Sequence, residues 1–167
     1  MDITTLLQSI EATELATQIR EGESAFPWLE SLHVLAISLV FGTIAIVDFR
    51  LLGWAMRDRA VTRVEHSVLP ITWTAFVGAV ITGALLFASN AQTYATNAWF
   101  IAKFVFIALA GVNMAVFQLW VLRDAPQWDR LAQLPPAAKM AGALSLAFWV
   151  AVITCGRWVG FSLQPGM

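Results

Sequence analysis

The stretch Trp28 to Phe49, WLESLHVLAISLVFGTIAIVDF, decides the class of fold. After Glu30 it carries one histidine, His33, and no full charge until Asp48. A hydrocarbon core of about 30 Å takes roughly 20 helical residues to cross, so this segment is long and apolar enough to span a bilayer. Three more stretches meet the same test, at 68–89, 98–122 and 140–161, beside the first at 28–49. Composition agrees: 59% of the 167 residues are apolar and 13% charged, with a mean hydropathy of +0.70, outside the range of soluble domains. The expected fold is all-α, an integral membrane four-helix bundle over residues 25–163 whose partner is the lipid bilayer.

A net charge of -1 and a pI near 6.1 argue against a nucleic-acid surface. Phosphate cradles, zinc pairs and nucleophile elbows are missing, so the sequence neither establishes nor excludes an enzyme. One cysteine permits no internal disulfide. The cations set the expected orientation. Arg50, Arg57, Arg59 and Arg63 fall in 50–67, and Arg123, Arg130 and Lys139 in 123–139, which places both segments in the cytoplasm and both termini outside. Trp28, Tyr94, Trp99 and Trp158 would form the outer aromatic belt, and Trp54 and Trp120 the inner one.

Residues 1–24 lack the basic start of a signal peptide and read as one amphipathic helix on the outer surface. Ile3, Leu6, Leu7 and Ile10 share a face, and Gly22 marks the stop. This helix is either an interfacial anchor or a lid over the outer end. Pro27 restarts the chain in the first turn of the first span. A weak internal repeat aligns AFVGAVITG (75–83) with AFWVAVITC (147–155), and Trp28 with Trp99, as a tandem duplication of two helix pairs would. Small residues stripe helix 4 (Ala143, Ala147, Ala151, Cys155), helix 1 (Ser38, Gly42, Ala45) and helix 2 (Ala75, Gly78, Ala79, Gly83). They serve close helix packing or leave room for a flat cofactor.

His33, Lys103 and Arg157 come from three helices at one depth in the outer leaflet. Each alone is explained by snorkelling toward the interface. Together they break the positive-inside pattern, and an anion should compensate them. Glu30, three residues before His33, is a candidate to orient the imidazole. A b-type haem fits the residue kinds, with His33 as axial ligand and its propionates on Lys103 and Arg157; its iron would be five-coordinate or borrow Lys103, a Met or a group from a neighbouring subunit. A copper or other metal site is possible at His33, and a second at His66, although His66 is expected about a membrane thickness away. Asp48 should pair with Arg50, Arg63 or Arg123, while Asn113 and Gln118 should bond between helices.

Several of these stretches carry a resemblance. The first span through VDFRLLG, then LPITWTAFVGAVITGALLFA (69–88), NAWFIAK (97–103) and GRWVGF (156–161) resemble a family of small bacterial four-helix membrane proteins of unknown function, over nearly all of 26–161. The resemblance implies a multi-pass protein of the bacterial inner membrane. It also implies that His33, Asp48, Arg50, Asn97, Lys103, Arg157 and Trp158 stand in motif positions. A histidine early in helix 1 followed by a small-residue stripe is similar, more distantly, to copper-resistance protein D and cytochrome b561. The expected function is thus a membrane haem protein for electron transfer near the outer face, as a homo-oligomer with a redox partner. The alternatives are a small-solute or metal-ion transporter and a non-catalytic membrane subunit.

Overall fold

The computed structural model describes residues 2–129, 131 and 133–162, and among them the chain is helical with no strand. Arg130, Met1 and Leu163, which figured in the sequence expectations, lie outside the described residues. Helices α1 (Ile3–Glu11) and α2 (Glu14–Glu21) replace the single N-terminal helix expected from sequence. The break has a local cause: the Thr13 hydroxyl accepts from Ala16 N and caps a new helix, and the chain turns at Ala12. Gly22 stops α2 as expected.

Four helices are long and apolar enough to cross a membrane, so the chain is a multi-pass membrane protein. They are α3 (Ala25–Leu52), α4 (Val61–Ser89), the continuous Ala98–Trp128 and, last in the chain, Pro136–Ser162. Between the second and third spans, residues expected as a loop form the short α5 (Ala91–Thr96). The third span starts as α6 (Ala98–Val116), widens to a π-helical turn at Phe117–Val121, tightens to 3-10 at Leu122–Asp124 and ends in α7 (Ala125–Trp128). The last span is α8 (Pro136–Ser162). All four spans start on or before their hydropathy windows, and three run beyond them, because a helix needs backbone hydrogen bonds and tolerates charge where the apolar run ends. Arg50, Arg63 and Lys139 are therefore helical and not loop residues.

Local chemistry fixes the joints. Gly53 closes α3 at φ 74°, the left-handed conformation that a residue without Cβ adopts freely. Pro70 lies inside α4, and the helix continues through it, with the Thr74 hydroxyl donating to the Pro70 carbonyl. Asn97 caps α6, its side-chain oxygen accepting from Trp99 N at 2.9 Å, and its amide donates to Ser162 Oγ at the end of α8.

Packing is strongest between α3 and α4 and between α6 and α8, and α3 also packs on α8. No comparable packing joins α4 to α6. The two pairs thus repeat the α3–α4 arrangement in α6–α8, with the ring left open on one side. Residues 33–40 and 103–110 run through the same sequence of buried and exposed positions, at an offset of 70 that is not the register of the sequence repeat. The helices α1, α2 and α5 gather at the end where α3 begins and α8 finishes, called here the histidine end. The opposite, arginine end holds the core, where Leu51, Val61, Phe117, Trp128, Leu134 and Ala138 pack together.

Candidate functional site

His33 is near the start of α3 and its Nδ1 is 2.8 Å from the Thr82 hydroxyl of α4. That hydroxyl also donates to the Gly78 carbonyl at 2.7 Å. With its proton on that carbonyl the Thr82 oxygen is free to accept from Nδ1, the tautomer that leaves a lone pair on Nε2. The ring lies across Gly83. A Cβ there would stand 2.9 Å from Cε1 and 3.7 Å from Nε2, so only glycine leaves the imidazole its place.

Lys103 is near the start of α6, as His33 is near the start of α3, and it is within electrostatic reach of both His33 and the buried Cys155. Its stem runs along Gly156, where a Cβ would meet Cδ and Cε at 4.0 Å and Nζ at 3.9 Å, ordinary contact. The one ion pair among the described residues joins Arg20 to Glu21 at 3.9 Å, so no carboxylate neutralises Lys103.

Two expected members of this cluster are elsewhere. Glu30 is exposed and makes no hydrogen bond to His33; Thr82 holds the imidazole instead. The Glu30 carboxylate faces the rim, where burial and, second, its charge push the Tyr94 phenol above its ordinary range. Arg157 is exposed, with its guanidinium 4.7 Å above the Phe161 ring, on the side of α8 away from buried Cys155 and Val159. The structure therefore brings His33 and Lys103 together without Arg157. His66 is exposed at the arginine end. From Thr82, beside His33, back to His66 is 16 residues of α4, about 24 Å at 1.5 Å per residue, so the two histidines share no site. Among the described residues no three His, Cys, Asp or Glu gather to hold a metal ion.

The deeper polar groups pair mostly as expected. Asn113 donates to the Ala141 carbonyl at 2.9 Å, and Gln118, presented by the π-helical turn, donates to Glu65. Thr72 donates to Thr43 between α4 and α3 at 2.8 Å. Asp48 departs from expectation and pairs with no arginine. Arg50, fully buried, donates instead to the carbonyls of Arg59 at 2.6 Å and Asp129 at 3.3 Å. The Asp129 carboxylate in turn accepts from the Thr62 backbone and hydroxyl. At the histidine end, Glu11 accepts from both the backbone and side chain of Gln92, and Arg20 donates to the Ser89 carbonyl, which docks α1 and α2 on the α4–α5 elbow.

Thr82 is the site residue that sequence reasoning missed. Its signal was the repeat: Thr82 and Thr154 are matched positions, and the first member of each helix pair carries His33 or Lys103.

Residues 22–162 match the model of a family of unknown function, DUF6644. The chain belongs to this family. The match opens where α2 stops, so all four spans of the DUF6644 fold, with His33, Thr82, Gly83 and Lys103, fall inside it. No curated protein and no solved structure matches the chain.

Proposed function

We propose that the histidine end binds a b-type haem, with His33 as axial ligand and Lys103 as charge partner, and that the protein transfers electrons in a bacterial inner membrane. The observation that carries this reading is the Thr82 hydroxyl 2.8 Å from His33 Nδ1: in the tautomer that donates there, Nε2 has a lone pair to offer. A histidine ligand normally has its other nitrogen held in this way. Haem would supply one-electron chemistry, and axial histidine is a usual way of holding it.

The residues present fit the group in kind. Lys103 is an inward cation without a carboxylate, suited to a propionate. Between α4, α5 and α6 an open apolar groove of about 460 Å³ is walled by Phe87, Phe100 and Phe104, on a face of α6 that His33 and Lys103 do not line. Copper has thinner support, since His33 has no companion histidine or thiolate cluster. Arg57, Arg59, Arg63, Arg123 and Lys139, all exposed at the arginine end, support a cytoplasmic position for that end. Gly42 and Gly111, on exposed helix faces with nothing within 4 Å, support a homo-oligomer.

Absorption of the purified protein tests the reading. A Soret band is expected, lost in His33→Ala, weakened in Lys103→Met and restored in Lys103→Arg, which keeps the charge. Protein purified from haem-replete cells without such a band would end the haem reading. A band that Lys103→Arg fails to restore would make Lys103 a ligand.

A further inference from the structure

We propose that Asp48 is a proton-binding carboxyl inside the bundle, at which the chain takes up and releases a proton near its arginine end. Asp48 sits in the seam between α3 and α8. Gly142 brings the two backbones together there: a Cβ on it would lie 3.0 Å from Leu51 Cβ and 3.2 Å from the Asp48 carbonyl oxygen. Ser145, one turn along α8, sets its hydroxyl beside the carboxyl. Asp48 is 4% exposed, and its Oδ2 has no hydrogen-bond partner among the described residues.

The charged groups around it are all engaged or turned away. On α3, Arg50 is two residues on, about 200° around the helix, and gives its donors to the Arg59 and Asp129 carbonyls. Arg57 donates to the Gly53 carbonyl. On α4, Arg63 and His66 are exposed, and buried Glu65 accepts from Gln118. The third span offers Asn113, whose amide is bonded to Ala141, and exposed Arg123; α8 offers exposed Lys139. A bare carboxylate in an apolar seam is costly, so it pairs, binds a cation or holds a proton. Among the described residues none of these groups pairs with Asp48. A metal cation takes a cage of several oxygens, whereas Asp48 has one hydroxyl beside it. A proton needs only the free Oδ2.

The full chain in detergent, treated with N,N′-dicyclohexylcarbodiimide, tests this. The reagent adds whole to a protonated carboxyl in an apolar setting and leaves an N-acylurea that peptide mass spectrometry locates. Labelling is expected at Asp48, decreasing as pH rises, and lost in the near-isosteric Asp48→Asn. An infrared carboxylic-acid C=O band of the untreated wild type should disappear with the same pH dependence, so a poorly folded variant would not decide the matter. Label found at Glu65 but not Asp48, no pH-dependent acid band, or protection by sodium at fixed pH would each overturn the proposal.

Discussion

The two ends of the bundle treat their polar groups in opposite ways. At the arginine end a guanidinium with no exposed surface is tied to two carbonyls, and Trp128, Leu134, Leu51 and Val61 form part of the apolar core at the same end. At the histidine end His33 of α3 and Lys103 of α6 lie within electrostatic reach of each other, and the side chain that holds the imidazole is Thr82. There α4 and α6 meet only through side chains, Phe87 stacking on Phe100 with centroids 5.5 Å apart. The closed end spends its donors on its own backbone and so fixes the fold. The open end leaves the Lys103 ammonium with no carboxylate in ion-pair reach among the described residues, as an anion site would.

Stability should therefore fall most at the arginine end. Arg50→Met removes two hydrogen bonds from a charged donor, each worth about 1.5–3 kcal/mol, and leaves two carbonyls unpaired. A loss of roughly 3 kcal/mol is expected in denaturant or thermal unfolding in detergent. A loss below about 1 kcal/mol would remove the contrast between the ends. The next largest effect is Gly142→Ala, whose Cβ would press on Leu51 and the Asp48 backbone. Overpacking of this seam should cost about 1–3 kcal/mol, and a neutral result would mean that α3 and α8 can separate without penalty.

The histidine end offers a matched pair. Gly83→Ala puts a methyl 2.9 Å from the imidazole, whereas Gly156→Ala puts one at 3.9 Å from the Lys103 ammonium. Both exchanges bring the same gain in helix propensity, so their difference isolates the ring. Gly83→Ala should break the Thr82 bond, worth about 1 kcal/mol, and shift the His33 ring resonances in NMR. Gly156→Ala should stay within about 0.5 kcal/mol of wild type with those resonances unmoved. Equal behaviour of the two variants would mean that the imidazole does not rest on Gly83.

The four spans were legible because hydropathy over 20 residues is a property of one segment, and Asn113 and Gln118 were legible because an amide deep in an apolar helix must find a partner. The partner of His33 was not. Glu30 is one turn away on the same helix, and Thr82 is 49 residues away on another; reasoning along one helix sees only the first. Arg157 could have been placed correctly: two residues beyond Cys155 it falls about 200° from the small-residue stripe, hence on the outer face. Asp48 and Arg50 are separated by the same two-residue turn, which sends the carboxyl to α8 and the guanidinium toward Arg59 and Asp129. The division of the N-terminal helix turned on a single hydroxyl at Thr13, whose capping bond outweighs the continuing amphipathic pattern.

The smallest expected effect concerns that N-terminal segment, which falls outside the family match and touches the bundle through α3, α4 and α5. Glu11→Ala deletes both bonds to Gln92, a part-buried pair at 2.8 Å each. Each such bond contributes about 0.5–1.5 kcal/mol, but only to the docking of α1, since nothing in the spans depends on it. Amide exchange should therefore quicken in residues 3–11 while the spans keep their protection and unfolding of the bundle is unchanged. Arg20 still holds α2 to the Ser89 carbonyl, so the release should stop at Thr13. If exchange also quickened around His33 and Thr82, α1 would be a lid on the site; if it is confined to α1, this helix is an anchor and the histidine end is built by the spans alone.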